Sequence, residues 1–238
     1  MKKPIALCGA TIAVIAPAGA LAAGGTPSGG GSKSAVGTTV TVRIEGANKT
    51  LLEPTMVKTH TGSIIKGGTP KGKCPDTSAA GALDVATHGK WTGKYDKSLG
   101  LEITSVFGEK HTFSSPMFWE IFVNNKPAQS GACLLKLHKG DQLLYAAAST
   151  KGVEDLIAIK APKTATVNKP FNIKVLVLNA KGKGTPLSGA KVSIGHKSVT
   201  TKANGTVSVK SANAGKVVLH ATHKGDIRAA PATVTVTG

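Results

Sequence analysis

Apolar and polar residues alternate from residue 39 onward in a way that predicts a half-buried β-strand. Apolar residues stand at positions 40, 42 and 44, and polar residues, among them Arg43 and Glu45, stand at positions 39, 41, 43 and 45. Successive side chains of a strand point to opposite faces of a sheet. One face of this strand is therefore predicted to be buried and the other to meet solvent.

Further strands follow the same logic up to about residue 147. The predicted runs are Leu51–Val57, in which Pro54 favours an edge or a bulge, Leu101–Ser105, Phe118–Val123, Leu134–Leu137 and Gln142–Ala147. Asn124-Asn125 tolerates the positive φ angles of a tight hairpin turn, and Gly140-Asp141 predicts another turn.

One segment has a helical pattern. Ser78 is a suitable N-cap for a helix from Ala79 to Thr87 or His88, and Gly89 is a stop signal. The preceding residues 59–76 are mostly polar and predict a long loop. A sheet with one short helix packed across it is an α+β unit, which we assign to residues 38–150.

After residue 152 the pattern changes to short strands separated by turns. The predicted strands are Leu156–Ile159, Phe171–Leu178, Lys191–Ile194, Ser198–Lys202, Thr206–Val209, Val217–Thr222 and Ala232–Thr237. Seven such strands predict an all-β sandwich over residues 154–238. Asn204-Gly205 is its strongest hairpin signal.

The N-terminus predicts export. Lys2 and Lys3 precede an apolar run and then small residues, which is typical of a secretory signal peptide over residues 1–22, with cleavage after Ala20 as the alternative. Cys8 also admits a lipoprotein interpretation, although Leu7 stands where a small residue is needed. Residues 23–37 are rich in Gly and Ser and predict a flexible linker. No segment has the roughly 20 apolar residues of a membrane span.

Export changes the interpretation of the cysteines. Without the signal peptide only Cys74 and Cys133 remain, and in an oxidising compartment they most simply form one disulfide. Two separate buried thiols are the alternative.

The net charge of the chain restricts the classes of binding partner that we expect. The chain carries a formal net charge of +18, and residues 154–238 contain 13 basic and 3 acidic residues. Nearly all the basic residues are lysines, and the basic region has one aromatic residue, Phe171. Nucleic-acid readers favour arginine and stacked aromatics, so we expect no nucleic-acid partner. The lysines instead favour solubility, or attraction to anionic polymers of the cell envelope.

The first unit resembles the transcobalamin-like C-terminal domain of bacterial surface proteins. The resemblance rests on segments that occur in family order over about 110 residues, namely 39–46, 81–87, 91–93, 119–124, 131–133 and 140–141. It implies a β-grasp-like fold. Related animal carriers close over cobalamin with the help of a helical barrel, which this chain lacks, so no cobalamin contact is assigned to a residue. Trp91 and Tyr95 are the candidate ligand-binding residues, while Trp119 fits core packing better.

The second unit is similar to bacterial Ig-like and carboxypeptidase-regulatory-like domains. The similarity rests on residues 186–192 and on residues 201–206, in which Gly and Asn-Gly turns redirect successive strands. Such domains usually serve as spacers or adhesive modules. The predicted fold is therefore an α+β β-grasp-like domain followed by an all-β Ig-like sandwich.

Catalytic and metal motifs are not evident in the sequence. His220 and His223 are the only closely spaced histidines, and an i, i+3 pair on a strand faces opposite sides. No paired-carboxylate motif or Gly-x-Ser-x-Gly elbow occurs. We therefore expect a secreted or envelope-associated, non-enzymatic binding module without a metal. A structural or adhesive protein, a cobalamin-binding protein and a hydrolase are the alternatives.

Overall fold

The computed structural model describes residues 37–151 and 155–238 of the chain. The predicted signal peptide, residues 1–22, and the predicted linker, residues 23–37, lie outside these ranges except for Gly37. The described residues are mostly β-structure with a single short helix. That helix has nine residues, and a bilayer span takes about 20, so nothing in the described ranges crosses a membrane as a helix.

Residues 39–149, called the N-terminal part below, contain eight of the described strands and the helix. In chain order they are β1 (Thr39–Glu45), β2 (Thr50–Lys58), α1 (Ala79–Thr87), β3 (Trp91–Asp96), β4 (Gly100–Val106), β5 (Glu109–Lys110), β6 (Met117–Val123), β7 (Lys126–Pro127) and β8 (Gln142–Ser149).

These strands form two sheets. The larger has the order β2-β1-β8-β6-β7, with β1 parallel to β8 and the other pairs antiparallel. The smaller has the order β3-β4-β5. Strand β2, which contains Pro54, lies at an edge as predicted. Apolar residues from the larger sheet, α1 and β3–β4 share one core, whose largest fully buried members include Tyr145, Ile44 and Leu83.

The predicted strand Leu134–Leu137 is wrong. Residues 132–134 form a turn, and only Lys136 makes an isolated bridge, to Ser78. The main-chain carbonyls of Ala132 and Leu135 accept hydrogen bonds from the first amides of α1. Because the unpaired amides at a helix N-terminus need acceptors, this segment serves the helix and not a neighbouring strand.

Residues 156–237, called the C-terminal part, contain the seven predicted strands and two additional short ones, β10 and β12. The strands are β9 (Leu156–Lys160), β10 (Thr164–Thr166), β11 (Phe171–Leu178), β12 (Gly184–Pro186), β13 (Lys191–Ile194), β14 (Lys197–Thr200), β15 (Thr206–Val209), β16 (Gly215–Thr222) and β17 (Ala232–Thr237).

Two sheets of the C-terminal part enclose a second core. One has the order β10-β17-β16-β13-β14, and in the other β11 pairs with β9, β12 and β15. Ile173, Val192, Leu219 and Val234 are among the residues between them. This arrangement is consistent with the predicted Ig-like sandwich.

A third apolar core joins the two parts. Phe122, Leu144 and Ala146 come from the N-terminal part, and Leu176 and Ile227 come from the C-terminal part. The middle of strand β8 is consequently buried on both faces, because the side chains at positions 143, 145 and 147 enter the first core and those at 144, 146 and 148 enter this third core.

An ionic network borders the third core. Glu45 accepts hydrogen bonds from Arg43 Nη1 (2.5 Å), Arg228 Nε (2.7 Å) and Thr50 Oγ1 (2.9 Å). Arg228 also donates to the carbonyl of Gly46. Arg43 and Glu45 are only 5% and 2% exposed. The alternation along β1 predicts a solvent-facing side here, which is wrong because the C-terminal part covers it.

Candidate functional site

A concave site lies between strands β4 and β6 and is closed on one side by the segment 128–132. We call it the β4–β6 groove. Its cavity volume is about 270 Å³. The groove is lined by Leu99, Leu101, Glu102, Ile103, Phe113, Phe118, Trp119, Glu120, Ile121 and residues 128–132.

Apolar and aromatic side chains dominate the groove, and some of them are exposed. Leu99 and Phe113 are each 53% exposed, unlike most large apolar side chains of this part of the chain. The rings of Phe113 and Phe118 lie 5.4 Å apart in a tilted arrangement. Ligand pockets in proteins are usually concave and mostly apolar with a few polar groups, and this groove has that character.

The charged side chains of the groove are all acidic. Glu102 and Glu120 line it, and no Lys, Arg or His is among the lining residues. The Glu102 carboxylate accepts a hydrogen bond from the amide of Phe113 (2.8 Å), which ties the Phe113 loop to β4. In a chain with 30 basic and 12 acidic residues, this is a local reversal of charge.

Trp119 forms part of the groove wall but is almost entirely buried, at 4% exposure. Its ring meets that of His111 edge-on at a centroid distance of 5.3 Å. The indole N–H has no hydrogen-bond partner among the described residues. The preference for core packing at Trp119 agrees with this burial.

Trp91 lies in strand β3 and not in a loop, because the chain turns at Gly89 and pairs at once with β4. The side chain is 3% exposed, and its indole N–H donates to Asp84 Oδ1 at 2.7 Å. Lys66 Nζ lies 4.7 Å from the ring centroid and 3.0 Å from the same carboxylate oxygen. The indole is thus held between the helix and the long loop.

Tyr95 is half-buried on the same strand and packs against the first core. Its amide donates to the carbonyl of Gly67 in the 59–76 loop. Neither Tyr95 nor Trp91 lines the β4–β6 groove. The ligand-binding role predicted for these two residues stays a prediction, and their packing gives each of them a structural role.

The predicted disulfide between Cys74 and Cys133 is confirmed, with the two Cα atoms 4.5 Å apart. Both cysteines are buried. The bond ties the end of the 59–76 loop to the turn that receives the helix N-terminus. Because that turn continues the segment 128–132, the disulfide also fixes one wall of the groove.

Within residues 37–151 and 155–238, no three His, Cys, Asp or Glu side chains converge as metal ligands would. Two histidines instead form local pairs with a carboxylate, His223 Nδ1 with Asp226 Oδ2 at 2.7 Å and His111 Nε2 with Glu109 Oε1 at 2.7 Å.

The sequence analysis did not find the groove, although it contains two signals for it. Leu99 and Phe113 are large apolar residues inside turn-forming, polar surroundings. Glu102 and Glu120 are acidic residues inside two strands whose alternate positions are apolar. Neither signal shows by itself that β4 and β6 lie side by side, since they belong to different sheets.

No protein-family model and no curated protein matches this sequence. Among solved structures, a candidate metal-binding protein from Ruminococcus gnavus ATCC 29149 is 16% identical, with 47% of this chain and 97% of that chain covered and a TM-score of 0.34. Haptocorrin in complex with Cbi is 18% identical, with 48% and 25% covered and a TM-score of 0.36. This chain thus spans a quarter of that protein.

The CARDB domain of a Pyrococcus furiosus protein is 23% identical, with 35% of this chain and 94% of that domain covered and a TM-score of 0.25. The neighbours therefore include a haptocorrin and a CARDB domain, in keeping with the two resemblances drawn from the sequence. Structural similarity at these TM-scores assigns neither a ligand nor an activity to this chain.

Proposed function

We propose that this protein is an exported, non-enzymatic binding module of the bacterial cell envelope and that its ligand occupies the β4–β6 groove. The observation that carries the proposal is the groove itself, a concave, mainly apolar site with two exposed apolar side chains at its rim and two carboxylates in its wall. Exposed apolar surface in a concave site is favourable to cover.

The remaining parts of the proposal rest on the sequence. Export follows from the signal-peptide pattern of residues 1–22, and the absence of enzymatic activity from the lack of nucleophile and paired-acid motifs. We also propose that the N-terminal part is a transcobalamin-like, β-grasp-like domain. The parallel pairing of β1 with β8 and the packing of α1 across that sheet support this proposal.

A thermal-shift screen of residues 23–238 tests the function. The ligands are corrinoids, glycans and anionic envelope polymers, each with three proteins: the unaltered chain, Phe113→Ser in the groove and Met56→Ser as control. Phe113 and Met56 are both exposed apolar side chains, and Met56 lies on β2 outside the groove. A ligand at 100 times its Kd stabilises by about 2.7 kcal/mol, which raises the melting temperature by roughly 5–10 °C.

A groove ligand raises the melting temperature of the unaltered chain and of Met56→Ser but acts weakly on Phe113→Ser. An equal shift for all three proteins places the ligand elsewhere and contradicts the proposed site. Corrinoids are included because of the sequence resemblance, so the same screen decides whether cobalamin is bound.

A structural or adhesive role is the second candidate, and one surface favours it. The outer face of the sheet β10-β17-β16-β13-β14 presents mainly hydroxyl and lysine side chains, among them Thr233, Thr235, Lys191 and Lys216. Such a face suits an anionic polymer. Its test is adsorption to isolated cell walls, which should fall as salt rises from low to high, since exposed charges are screened. Adsorption that is independent of salt contradicts this role.

A further inference from the structure

An open cleft lies at one end of the sheet β10-β17-β16-β13-β14 in the C-terminal part. Its volume is about 640 Å³, and we call it the lysine cleft. Three elements form it, namely the turn between β13 and β14, the loop that follows β15, and strand β16. None of its lining residues lines the β4–β6 groove, so the two sites are separate.

The charge of the lysine cleft has a single sign. Three lysines and two histidines line it, and all five side chains are exposed: Lys197, Lys210, Lys216, His196 and His220. No acidic residue of the described chain lines the cleft, and in the same ranges none of the three lysines forms an ion pair. Asp226 is the one acidic residue of positions 156–238, and it is paired with His223. The cleft therefore holds cations without a counter-charge.

Hydrogen bonds fix the loop that forms one wall of the cleft. The Ser211 hydroxyl donates to the carbonyl of Asn213 (2.8 Å) and accepts from the amide of the same residue (3.3 Å). The Asn168 amide donates to the Ser211 carbonyl at 2.8 Å, which ties this loop to the turn before β11. Asn213 also lines the cleft, and its side-chain amide takes part in none of these bonds. This wall thus has a defined shape and a donor left for a ligand.

Strand β16 is the floor of the cleft. Its even-numbered side chains point to the outer face of the sheet, because Val217 packs against the second core and Leu219 lies inside it. Lys216, Val218 and His220 therefore stand in one row. At about 3.3 Å per residue, the two ends of this row are about 13 Å apart along the strand. Val218, in the middle, is 44% exposed. A row with polar ends and an apolar centre matches a chain molecule better than a single small ion.

We propose that the lysine cleft binds a linear polymer of phosphodiester groups separated by short carbon segments. The phosphates lie near the lysines, and a carbon segment covers Val218. This site goes beyond the β4–β6 groove. The inference rests on the second candidate function, attachment to an anionic envelope polymer, and supplies the residues and the ligand class for it.

Phosphate suits these side chains better than carboxylate does. The planar fork of arginine binds carboxylates best, and both arginines of the chain are bound to Glu45, far from the cleft in the fold. Lysine acts as a point charge and is a common phosphate ligand. A tetrahedral phosphate presents oxygens in several directions, so separate donors from different walls can reach it. A cleft lined by one sign of charge also concentrates its counter-ions.

Titration calorimetry with poly(glycerol phosphate) at low salt tests the site on the mature protein, residues 23–238. The triple variant Lys197→Gln, Lys210→Gln and Lys216→Gln should weaken binding about tenfold, which corresponds to about two- to threefold for each exposed ion pair. The loss should shrink as salt is added, because exposed charges are screened.

The matched control removes the same charge outside the cleft. Lys181→Gln, Lys183→Gln and Lys202→Gln change three exposed lysines of the C-terminal part that do not line the cleft. This variant should weaken binding by less than about twofold, since it changes only the long-range attraction.

Comparison ligands test the chemical class. Inorganic phosphate should bind at least about ten times more weakly per molecule, because one group cannot contact several cations in turn. Poly-L-glutamate of similar length should also bind more weakly than poly(glycerol phosphate). A single-stranded oligonucleotide with the same number of phosphates should not bind more tightly, since no Phe, Tyr or Trp of the described chain lines the cleft for base stacking.

Four results overturn the inference. If the two triple variants lose the same affinity, the attraction is spread over the surface and the cleft is wrong, although the adhesive role stands. If poly-L-glutamate binds as tightly, or the oligonucleotide more tightly, the ligand class is wrong. If poly(glycerol phosphate) does not bind while the protein still adsorbs to cell walls in a salt-sensitive way, the inference fails and the second candidate function survives. If neither occurs, both fail.

Discussion

At the scale of single residues, the ionic network between the two parts uses both arginines of the chain. Arg43 and Arg228 bind the same buried carboxylate, Glu45. Burial lowers the pKa of the Arg43 guanidinium, and the charge of Glu45 opposes this effect. Arginine suits such a site because its planar fork reaches several acceptors and is less strongly hydrated than a lysine ammonium.

Substitution of Arg228 tests the network. Arg228→Ala leaves Glu45 with one cation in a buried setting, so we expect the free energy of unfolding to fall by about 2–3 kcal/mol in urea. Arg228→Lys should recover only part of this loss, since lysine cannot bond Glu45 and the Gly46 carbonyl with the same geometry. Lys191→Ala, at an exposed position, serves as control. Equal urea midpoints for Arg228→Ala and the control would show that the network does not stabilise the fold.

The carboxyl group of Glu109 is expected to make the free energy of unfolding depend on pH. Burial raises the pKa of Glu109, but hydrogen bonds from His111 and from the Ala47 amide outweigh it and leave the pKa below 4.5. A carboxyl group whose pKa is lowered by folding stabilises the protein above its unfolded pKa, and this contribution disappears as the pH falls through the folded pKa.

We therefore expect Glu109→Gln to reduce the free energy of unfolding by about 1 kcal/mol near pH 7, and by less at an acidic pH, because protonation of the folded carboxyl group removes its contribution. Urea unfolding at the two pH values measures the difference. Glu53→Gln, which is exposed, should have little effect at either pH. A loss that is the same at both pH values would contradict the role of the charge.

At the scale of elements, Gly81 shows how packing reverses a local preference. Alanine is favoured over glycine in a helix by about 1 kcal/mol. In α1, however, a Cβ atom at residue 81 would lie 1.8 Å from the main-chain carbonyl oxygen of Asp76. Main-chain atoms cannot rotate away as a side chain can. The glycine therefore permits the close approach of the long loop to the helix.

Gly81→Ala is accordingly expected to destabilise the protein by about 1–3 kcal/mol, although helix propensity alone predicts stabilisation. Differential scanning calorimetry gives the sign directly as a lower melting temperature. Gly238→Ala, where a Cβ atom meets open space, should change stability by less than about 0.5 kcal/mol. A higher melting temperature for Gly81→Ala would show that the main chain at Asp76 shifts at little cost to make room for the Cβ atom.

Helices, strands and turns with a clear local pattern are predicted well from the sequence. The helix and the seven predicted strands of the C-terminal part follow from local periodicity, and the Asn124-Asn125 turn has the positive φ angles expected of it. Periodicity describes one element at a time. It could not predict that the 134–137 segment serves the helix N-terminus, or that Arg43 and Glu45 are covered by a distant part of the chain.

The surroundings of the two candidate residues were not predictable from the sequence for the same physical reason. Trp91 pairs in β3 and is held by Asp84 and Lys66, contacts that no local pattern around the residue predicts. The groove depends on two strands of different sheets lying side by side, which is a tertiary relation. No sequence pattern around Glu102 or Trp119 shows that their two strands are neighbours.

At the scale of the molecule, the disulfide restricts the unfolded chain. Cys74 and Cys133 are 59 residues apart, and loop entropy assigns about 4 kcal/mol to a closed loop of this size. We expect Cys74→Ala with Cys133→Ala to lower the urea midpoint strongly, and reductant to do the same to the unaltered mature protein. Reductant should not affect the double variant. An unchanged midpoint after both thiols are shown to be free would contradict this contribution.

The third core predicts that the two parts unfold together. Phe122 and Leu144 from one part pack with Leu176 and Ile227 from the other, so separating the parts would expose apolar surface on both. Domains joined only by a linker usually unfold independently, whereas a shared apolar interface couples them. The buried charges of Arg43 and Glu45 add to this coupling, since separation would leave the network incomplete.

Two probes follow the parts separately during urea unfolding. The fluorescence of Trp91 and Trp119 reports on the N-terminal part, and NMR signals of Leu219 and Val234 report on the C-terminal part. We expect the same midpoint from both probes. We also expect Ile227→Ala to lower both midpoints together, by about 2–4 kcal/mol of stability, because its side chain fills the third core. If the signals of Leu219 and Val234 disappear while the tryptophan fluorescence stays native, the parts are independent. The groove would then be expected to function in the N-terminal part alone.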